Sequence, residues 1–325
     1  MRAVFYEKYG APEVLQITEI EKPVPKEKEV LIKVQATTVT SGDIKSRSAN
    51  YAPAPSILGR MQTGFSKPKK AIIGMELAGV IVSVGKDVTK FKAGDEIYAS
   101  TYWEPSGSYA EYVTMPETGM LALKPSNLSY GEAATIPSGA QAALYFLRSA
   151  NIQRGQKVLI YGASGSVGTF AVQIAKYYGA EVTGVCSTAN LELVKGLGAD
   201  HVIDYKKEDF TENGVKYDVI FDAVGKSNFS KTLKSLTKTG YYLLVIFSFS
   251  DIINVFLVSL TSSRKAVIGT AKDDPTDLDF LRELVEAGHL KPVIDRSYRF
   301  ENIVEAHRYV GTGRKRGNVI INLEA

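Results

Sequence analysis

Three glycines, Gly162, Gly165 and Gly168, stand at intervals of three in KVLIYGASGSVGTFAVQIAKYYG, between an apolar run ending at Tyr161 and a helical repeat through Phe170, Val172, Ile174 and Ala175. Side chains at these positions would block a tight turn, the approach of backbone to a pyrophosphate, and the packing of helix on strand. The start of the helix adds unpaired N–H groups and positive dipole, an anion seat, and Gly179 closes it as a C′ glycine does. Strand, turn, helix and a second strand (EVTGVCS) follow in order, and that context makes a glycine triplet a dinucleotide site. A carboxylate at the end of the second strand would bind a ribose 2′-hydroxyl and mark NAD. Ser187-Thr188-Ala189-Asn190 stand there instead. They offer hydroxyl and amide donors and no negative charge, so the expected dinucleotide is NADPH. Tyr205, just after DHVID, either lies against the adenosine ribose and its phosphate or is a surface tyrosine. Arg314, Lys315 and Arg316 either add charge near the phosphates or form a solvated cluster.

A second stretch, GMELAG (Gly74 to Gly79), places one carboxylate, Glu76, among small and apolar residues. A charge there is expensive unless it is paired. The expected role is a buried carboxylate held by a cation or by backbone N–H groups near a cleft, with Arg47 of DIKSR as one candidate partner. Asp222 in VIFDAVG reads as a structural residue at a strand end.

Behind these residues stands a chain of 325 amino acids, longer than one hydrophobic core usually serves, so two unequal domains are expected. The apolar fraction of 45% and charged fraction of 23% exclude disordered and fibrous classes. A net charge of +4, spread along the chain, gives no nucleic-acid footprint. One cysteine, Cys186, excludes a disulfide framework and a cysteine-rich zinc site. The N-terminal MRAVFYEKYG does not read as a signal peptide, and the expected location is the cytoplasm. Tyr241 to Leu260 approaches the length of a membrane span. Asp251 and several serines interrupt it, so it reads as two strand-length apolar pieces: a buried strand, then an apolar lid or subunit contact.

The first hundred-odd residues are strand-like, with Val30 to Val39, Ala78 to Gly85, Gly94 to Ser100 and Ser108 to Val113 alternating or β-branched between glycine turns. From Tyr130 the pattern turns helical, with Pro137 at a break or kink. Strands and helices then alternate through YYLLVI, which implies a doubly wound parallel sheet in an α/β domain. After Thr270 two helices, DLDFLRELVEAG and ENIVEAHRYV, precede a strand (Asn318 to Leu323) able to return to the first lobe. The expected division is 1–122 with 271–325 as substrate domain, and 123–270 as dinucleotide-binding domain.

With these pieces in place the chain resembles the medium-chain dehydrogenase/reductases, in particular the zinc-independent quinone oxidoreductase branch. MRAVFYEKYGAPEVLQI, TSGDIKSR, IIGMELAGVIVSVGKDV, FKAGDEIYA, GSYAEYV, the ASGSVG turn, LGADHVIDY, FDAVG and RGNVIINL carry the resemblance over nearly the whole length. It implies a GroES-like barrel-type substrate domain beside a Rossmann domain, NADPH in the cleft between them, and a homodimer. Ser164, Ser166, Val167 and, in the closing strand, Asn318 complete the implied cofactor contacts. Zinc-dependent relatives carry Gly-His-Glu where this chain reads Gly74-Met75-Glu76, and a thioether does not replace a zinc-bound imidazole. No zinc is therefore expected.

Without a metal to polarise oxygen, simple alcohols are poor substrates, whereas quinones and α,β-unsaturated carbonyls spread the incoming charge. DIKSRSANY resembles a segment of the enoyl-thioester reductases whose tyrosine assists enolate protonation. Carried over, that residue is Tyr51, which reads otherwise as a loop tyrosine lining an apolar cleft. Thr40 stands where the family usually has asparagine and can still donate a hydrogen bond, whereas Ala142, in place of a common threonine, cannot. Tyr102 and Trp103 form either an aromatic wall or packing beside a turn. The expected activity is NADPH-dependent reduction of quinones or enones. The alternatives are an enoyl-thioester reductase, for which Lys67, Lys69 and Lys70 would supply cations, and an NADPH-binding sensor with little turnover. The expected partner is a small electrophilic substrate, with neither nucleic acid nor membrane.

Overall fold

A computed structural model describes residues 1–53 and 56–323. Six strands, Lys157–Tyr161, Glu181–Cys186, His201–Asp204, Tyr217–Asp222, Leu236–Leu244 and Lys265–Ile268, form one parallel sheet. In space the third lies outermost, then the second, first, fourth, fifth and sixth. This order reverses direction between the first and fourth strands and opens a crevice at their carboxyl ends. Val158, Leu159 and Ile160 are wholly buried because helices cover both faces. The helices Ile136–Ser149 and Ser166–Tyr177 pack together on one of them, and Phe146 meets Phe221 of the fourth strand edge to face at 6.0 Å.

The other large sheet is built around Glu29–Thr38, which pairs antiparallel with Glu76–Val84, Tyr112–Pro116 and Asn318–Asn322. The last of these comes from the far end of the chain, as its pattern predicts. It also binds Ile294–Arg299 in parallel. This sheet encloses a separate core that includes Ile32, Leu77, Ile81, Ile97, Met115 and Ile321.

One reading needs correction. The apolar run from Tyr241 holds one strand piece, not two: after Leu244 the chain forms the helix Phe249–Thr261. Ser248 and Asp251 start it as a reciprocal capping box, which overrides the β-branched composition that follows. Pro137, read as a break or kink, stands at a break: the helix Tyr130–Ala133 ends before it, and it occupies the first turn of Ile136–Ser149, where no N–H partner is lost. The turn-rich YAPAPS stretch lies in part outside the described residues, at positions 54 and 55. Among the described residues no helix is long and apolar enough to cross a membrane.

Candidate functional site

The glycine turn follows the first strand of the parallel sheet. Gly162 has φ +83°, and a Cβ there would lie 2.2 Å from Val224. A Cβ on Gly168 would lie 2.1 Å from the Gly162 carbonyl, so this glycine lets the helix close on the strand. Gly165 differs. A Cβ there would meet nothing closer than that carbonyl at 3.5 Å, so the space before the helix Ser166–Tyr177 is open. Gly165 caps this helix without a side chain, leaving its first N–H groups free to bind a pyrophosphate. The residues present therefore fit the phosphates of a dinucleotide. Gly317, near the chain's end, closes the turn from the other side: its N–H donates to the Ser164 carbonyl at 2.8 Å.

Of the expected cofactor residues, Ser164, Ser187 and Asn190 come together. The Asn190 amide donates to Ser164 Oγ at 3.0 Å and Ser187 Oγ at 3.2 Å, making a polar floor at the end of the second strand. Ser166 and Asn318 also meet, at 2.6 Å, so this serine hydroxyl serves the join between the lobes. Tyr205 is 52% exposed beside the same strand end, its N–H held by the Cys186 carbonyl. Asp204 escaped the sequence reading. It ends the third strand, accepts from Thr188 Oγ1 at 2.5 Å, and is held below the usual carboxylate range by that bond, by the Lys206 N–H and by the Lys207 and Lys206 charges. Asp222 is structural as read, accepting from the N–H groups of Val224, Gly225 and Ser227.

A cleft of roughly 200 Å³ opens in the other lobe, lined among others by Tyr51, Tyr102, Lys45, Lys70, Asp43 and Met75. Tyr51 and Thr63 share a short hydroxyl contact, and Thr63 donates onward to the Gly59 carbonyl at 3.0 Å. Burial raises the Tyr51 phenol above its ordinary value despite that bond. Thr40 does not line the cleft. It is the N-cap of Ser41–Ser48, accepting from the Asp43 N–H and donating to Asp43 Oδ2 at 2.6 Å. The second oxygen of Asp43 is buried without a partner, and burial pushes this carboxyl up to about 7. Trp103 is 55% exposed and stands edge to face on Tyr102 at 4.7 Å.

Glu76 joins the lobes. Its Oε1 accepts from Thr38 Oγ1 at 2.5 Å and its Oε2 from the Ser138 N–H at 2.8 Å, in the first turn of Ile136–Ser149. Burial raises this carboxyl, while Thr38, Ser138 and the more distant Lys315 charge oppose the shift. Arg47 is not its partner: that guanidinium donates to the Gly10 carbonyl at 2.9 Å. Lys315 is partly buried rather than freely solvated, donates to the Gly317 carbonyl at 2.6 Å, and is lowered by burial to about 8. A contact path results. Met75 lines the cleft, Glu76 binds Ser138, and a Cβ on Gly139 would lie 2.7 Å from Ser166 Oγ at the glycine turn.

A doubly wound sheet with an open glycine turn, joined to a β-rich lobe carrying a cleft, defines a two-lobed nicotinamide-dependent oxidoreductase. The model for the alcohol dehydrogenase GroES-like domain matches residues 26–125, and that for a zinc-binding dehydrogenase matches 197–321. A 2-methylene-furan-3-one reductase of Solanum lycopersicum is 34% identical over 99% of this chain and 79% of its own length. An NADPH-dependent alkenal/one oxidoreductase of Arabidopsis thaliana, chloroplastic, is 33% identical over the same shares. The solved quinone oxidoreductase of Coxiella burnetii superposes with a TM-score of 0.88 at 27% identity, covering 100% of this chain and 99% of that one. The chain belongs to the medium-chain dehydrogenase/reductases, in their quinone oxidoreductase-like branch.

Proposed function

We propose that this enzyme reduces quinones or α,β-unsaturated carbonyls with NADPH, by direct hydride transfer and without zinc. One observation carries the metal-free reading. Beside Glu76, Met75 turns its thioether toward Thr40 at 3.5 Å, and a Cβ on Gly42 would lie 2.4 Å from the same sulfur. The position is filled by a group that zinc does not favour, and among the described residues no cluster of three or more His, Cys, Asp or Glu could hold a metal. The residues present do not fit a catalytic zinc site.

The nicotinamide supplies hydride when bound. The protein orients an electrophile whose charge delocalises, in a cleft where Tyr51 and Tyr102 offer aromatic surface. We assign Tyr51 to protonation of the substrate, through the hydroxyl it shares with Thr63, and Thr40 to positioning the helix that carries Asp43 and Lys45. Gly162, Ser164, Gly165, Ser166, Val167 and Gly168 seat the pyrophosphate, with Asn318 behind them. Ser187, Asn190 and Tyr205 take the adenosine end. Donors there, with Lys206 and Lys207 offsetting Asp204, favour the 2′-phosphate of NADPH. The enzyme works in the cytoplasm as a homodimer, without nucleic acid or membrane.

The test is NADPH oxidation by chelator-treated protein against quinones, enones, enoyl thioesters and simple aldehydes, with NADH in parallel. Turnover of quinones or enones, unchanged by chelation and at least tenfold better with NADPH, is expected. Activity that disappears with the chelator and returns with zinc would overturn the metal-free reading, and equal use of NADH would overturn the choice of dinucleotide.

A further inference from the structure

The end of the second strand of the parallel sheet gathers three hydroxyls and one amide, and the directions of their hydrogens are fixed by one another. A hydroxyl has one hydrogen to give, an amide nitrogen two. Asn190 Nδ2 spends one on Ser164 Oγ at 3.0 Å and the other on Ser187 Oγ at 3.2 Å. Each serine therefore accepts from Asn190 and keeps its own hydrogen, which meets no acceptor among the described residues. Thr188 does the reverse: its hydroxyl gives its hydrogen to Asp204 Oδ2 at 2.5 Å and turns only lone pairs outward.

Asn190 is diverted from the task its place in the chain suggests. It is the N-cap of the helix Leu191–Gly196, where an asparagine ordinarily accepts from the helix's own N–H groups, yet its side chain makes no such bond. It reaches instead to Ser164, 26 positions earlier in the glycine turn, and so joins that turn to the end of the second strand. In a dinucleotide fold the adenosine ribose bridges those two places. A 2′-phosphate offers acceptors alone, whereas a 2′-hydroxyl can also donate, so the direction of the two serine hydrogens separates the two dinucleotides.

We propose that Asn190 is a positioning residue for the choice of dinucleotide: by occupying a lone pair of Ser164 Oγ and of Ser187 Oγ, it aims both hydroxyl hydrogens at the 2′-phosphate of NADPH. This rests on the NADPH reading above and names the device behind it. With an apolar side chain at 190 the serines keep their places but lose that direction, and their hydrogens turn to each other or to water.

The test uses two probes that differ by the 2′-phosphate alone, adenosine 2′,5′-bisphosphate and adenosine 5′-phosphate, titrated into the full-length protein in a calorimeter. The wild type is expected to bind the bisphosphate at least tenfold more tightly. Asn190→Leu should lower that ratio at least fivefold, with affinity for the 5′-phosphate within twofold of wild type. In a background of Ser164→Ala and Ser187→Ala, adding Asn190→Leu should change the ratio less than twofold. A residue that merely braced the loop would weaken both probes and would act with or without the serines. A wild type short of the tenfold preference overturns the NADPH reading and this proposal with it. A wild type that shows the preference overturns the proposal alone if Asn190→Leu lowers the ratio by less than fivefold, weakens both probes alike, or acts as strongly once the serines are gone.

Discussion

Glu76 draws its partners from three parts of the chain: Thr38 from the adjoining strand, Ser138 from the helix between the lobes, and the Lys315 charge from near the C-terminus. Both carboxylate oxygens are used, and the side chain is 1% exposed. Truncation would strand a hydroxyl and a helix N–H in a dry site, a loss of about 3 kcal/mol for Glu76→Ala. Glu76→Gln keeps one acceptor and should lose less than half of that, with urea unfolding midpoints as the measure; equal midpoints for Glu76→Ala and wild type would show the contact to be idle. That Glu76 must be paired was legible, because GMELAG surrounds a charge with apolar residues. Its partner was not, because Ser138 lies 62 positions away and donates through its backbone, which has no residue signature. Lys45 was invisible for the opposite reason: DIKSR looks like any polar helical segment until the fold turns one of its cations into a cleft. The glycine turn was legible because sterics alone dictate where side chains are forbidden.

At the scale of elements, strands and helices of the parallel sheet follow their apolar periods closely, and the helix Phe249–Thr261 is where period and composition mislead. Its β-branched and aromatic content suggests a strand, while the local SFSD capping box starts a helix. The helix buries only Val258 and leaves Phe249, Ile253, Phe256, Leu257 and Leu260 between 48% and 67% exposed, at spacings that place them on one face. It packs beside Lys265–Ile268, the edge strand of the sheet, whose outer side pairs with no strand among the described residues. An apolar stripe beside an open edge favours association, and the proposed homodimer would cover both. Phe256→Ser with Leu260→Ser should therefore shift the protein from dimer to monomer in light scattering after gel filtration, with NADPH affinity unchanged. A double variant that stays dimeric would move the contact elsewhere.

In the whole molecule the C-terminal helix Ile303–Gly311 packs back into the core of the β-rich lobe, and one buried group there sets a pH dependence. His307 lies at 0% exposure on the helix Ile303–Gly311, its Nε2 3.1 Å from the Tyr109 hydroxyl and its Nδ1 without a partner. Burial, with the Arg47 charge, lowers it to about 3 from 6.5. Between those values the unfolded chain binds a proton that the folded chain refuses, so His307 destabilises the fold progressively as pH falls below about 6.5. Asp43 acts in the opposite sense. Its carboxyl is raised from 3.8 to about 7, so the folded chain holds a proton that the unfolded chain releases, and stability from this group is lost as pH rises through that window. Over about pH 4 to 6.5 the two effects oppose each other, and the wild type should show a shallow profile there. Gln at position 307 can still reach Tyr109 but does not titrate. His307→Gln should consequently gain on the wild type as the medium is acidified, by up to about 1.4 kcal/mol per pH unit below 6.5. Asp43→Asn should diverge the other way, losing the protection Asp43 provides in acid. Urea unfolding of the three proteins at pH 7.5, 6 and 5 measures both differences, with all other titrating groups common to each comparison. Parallel profiles for His307→Gln and wild type would mean that His307 takes up its proton in the folded state, and that the core around Tyr109 opens to admit it.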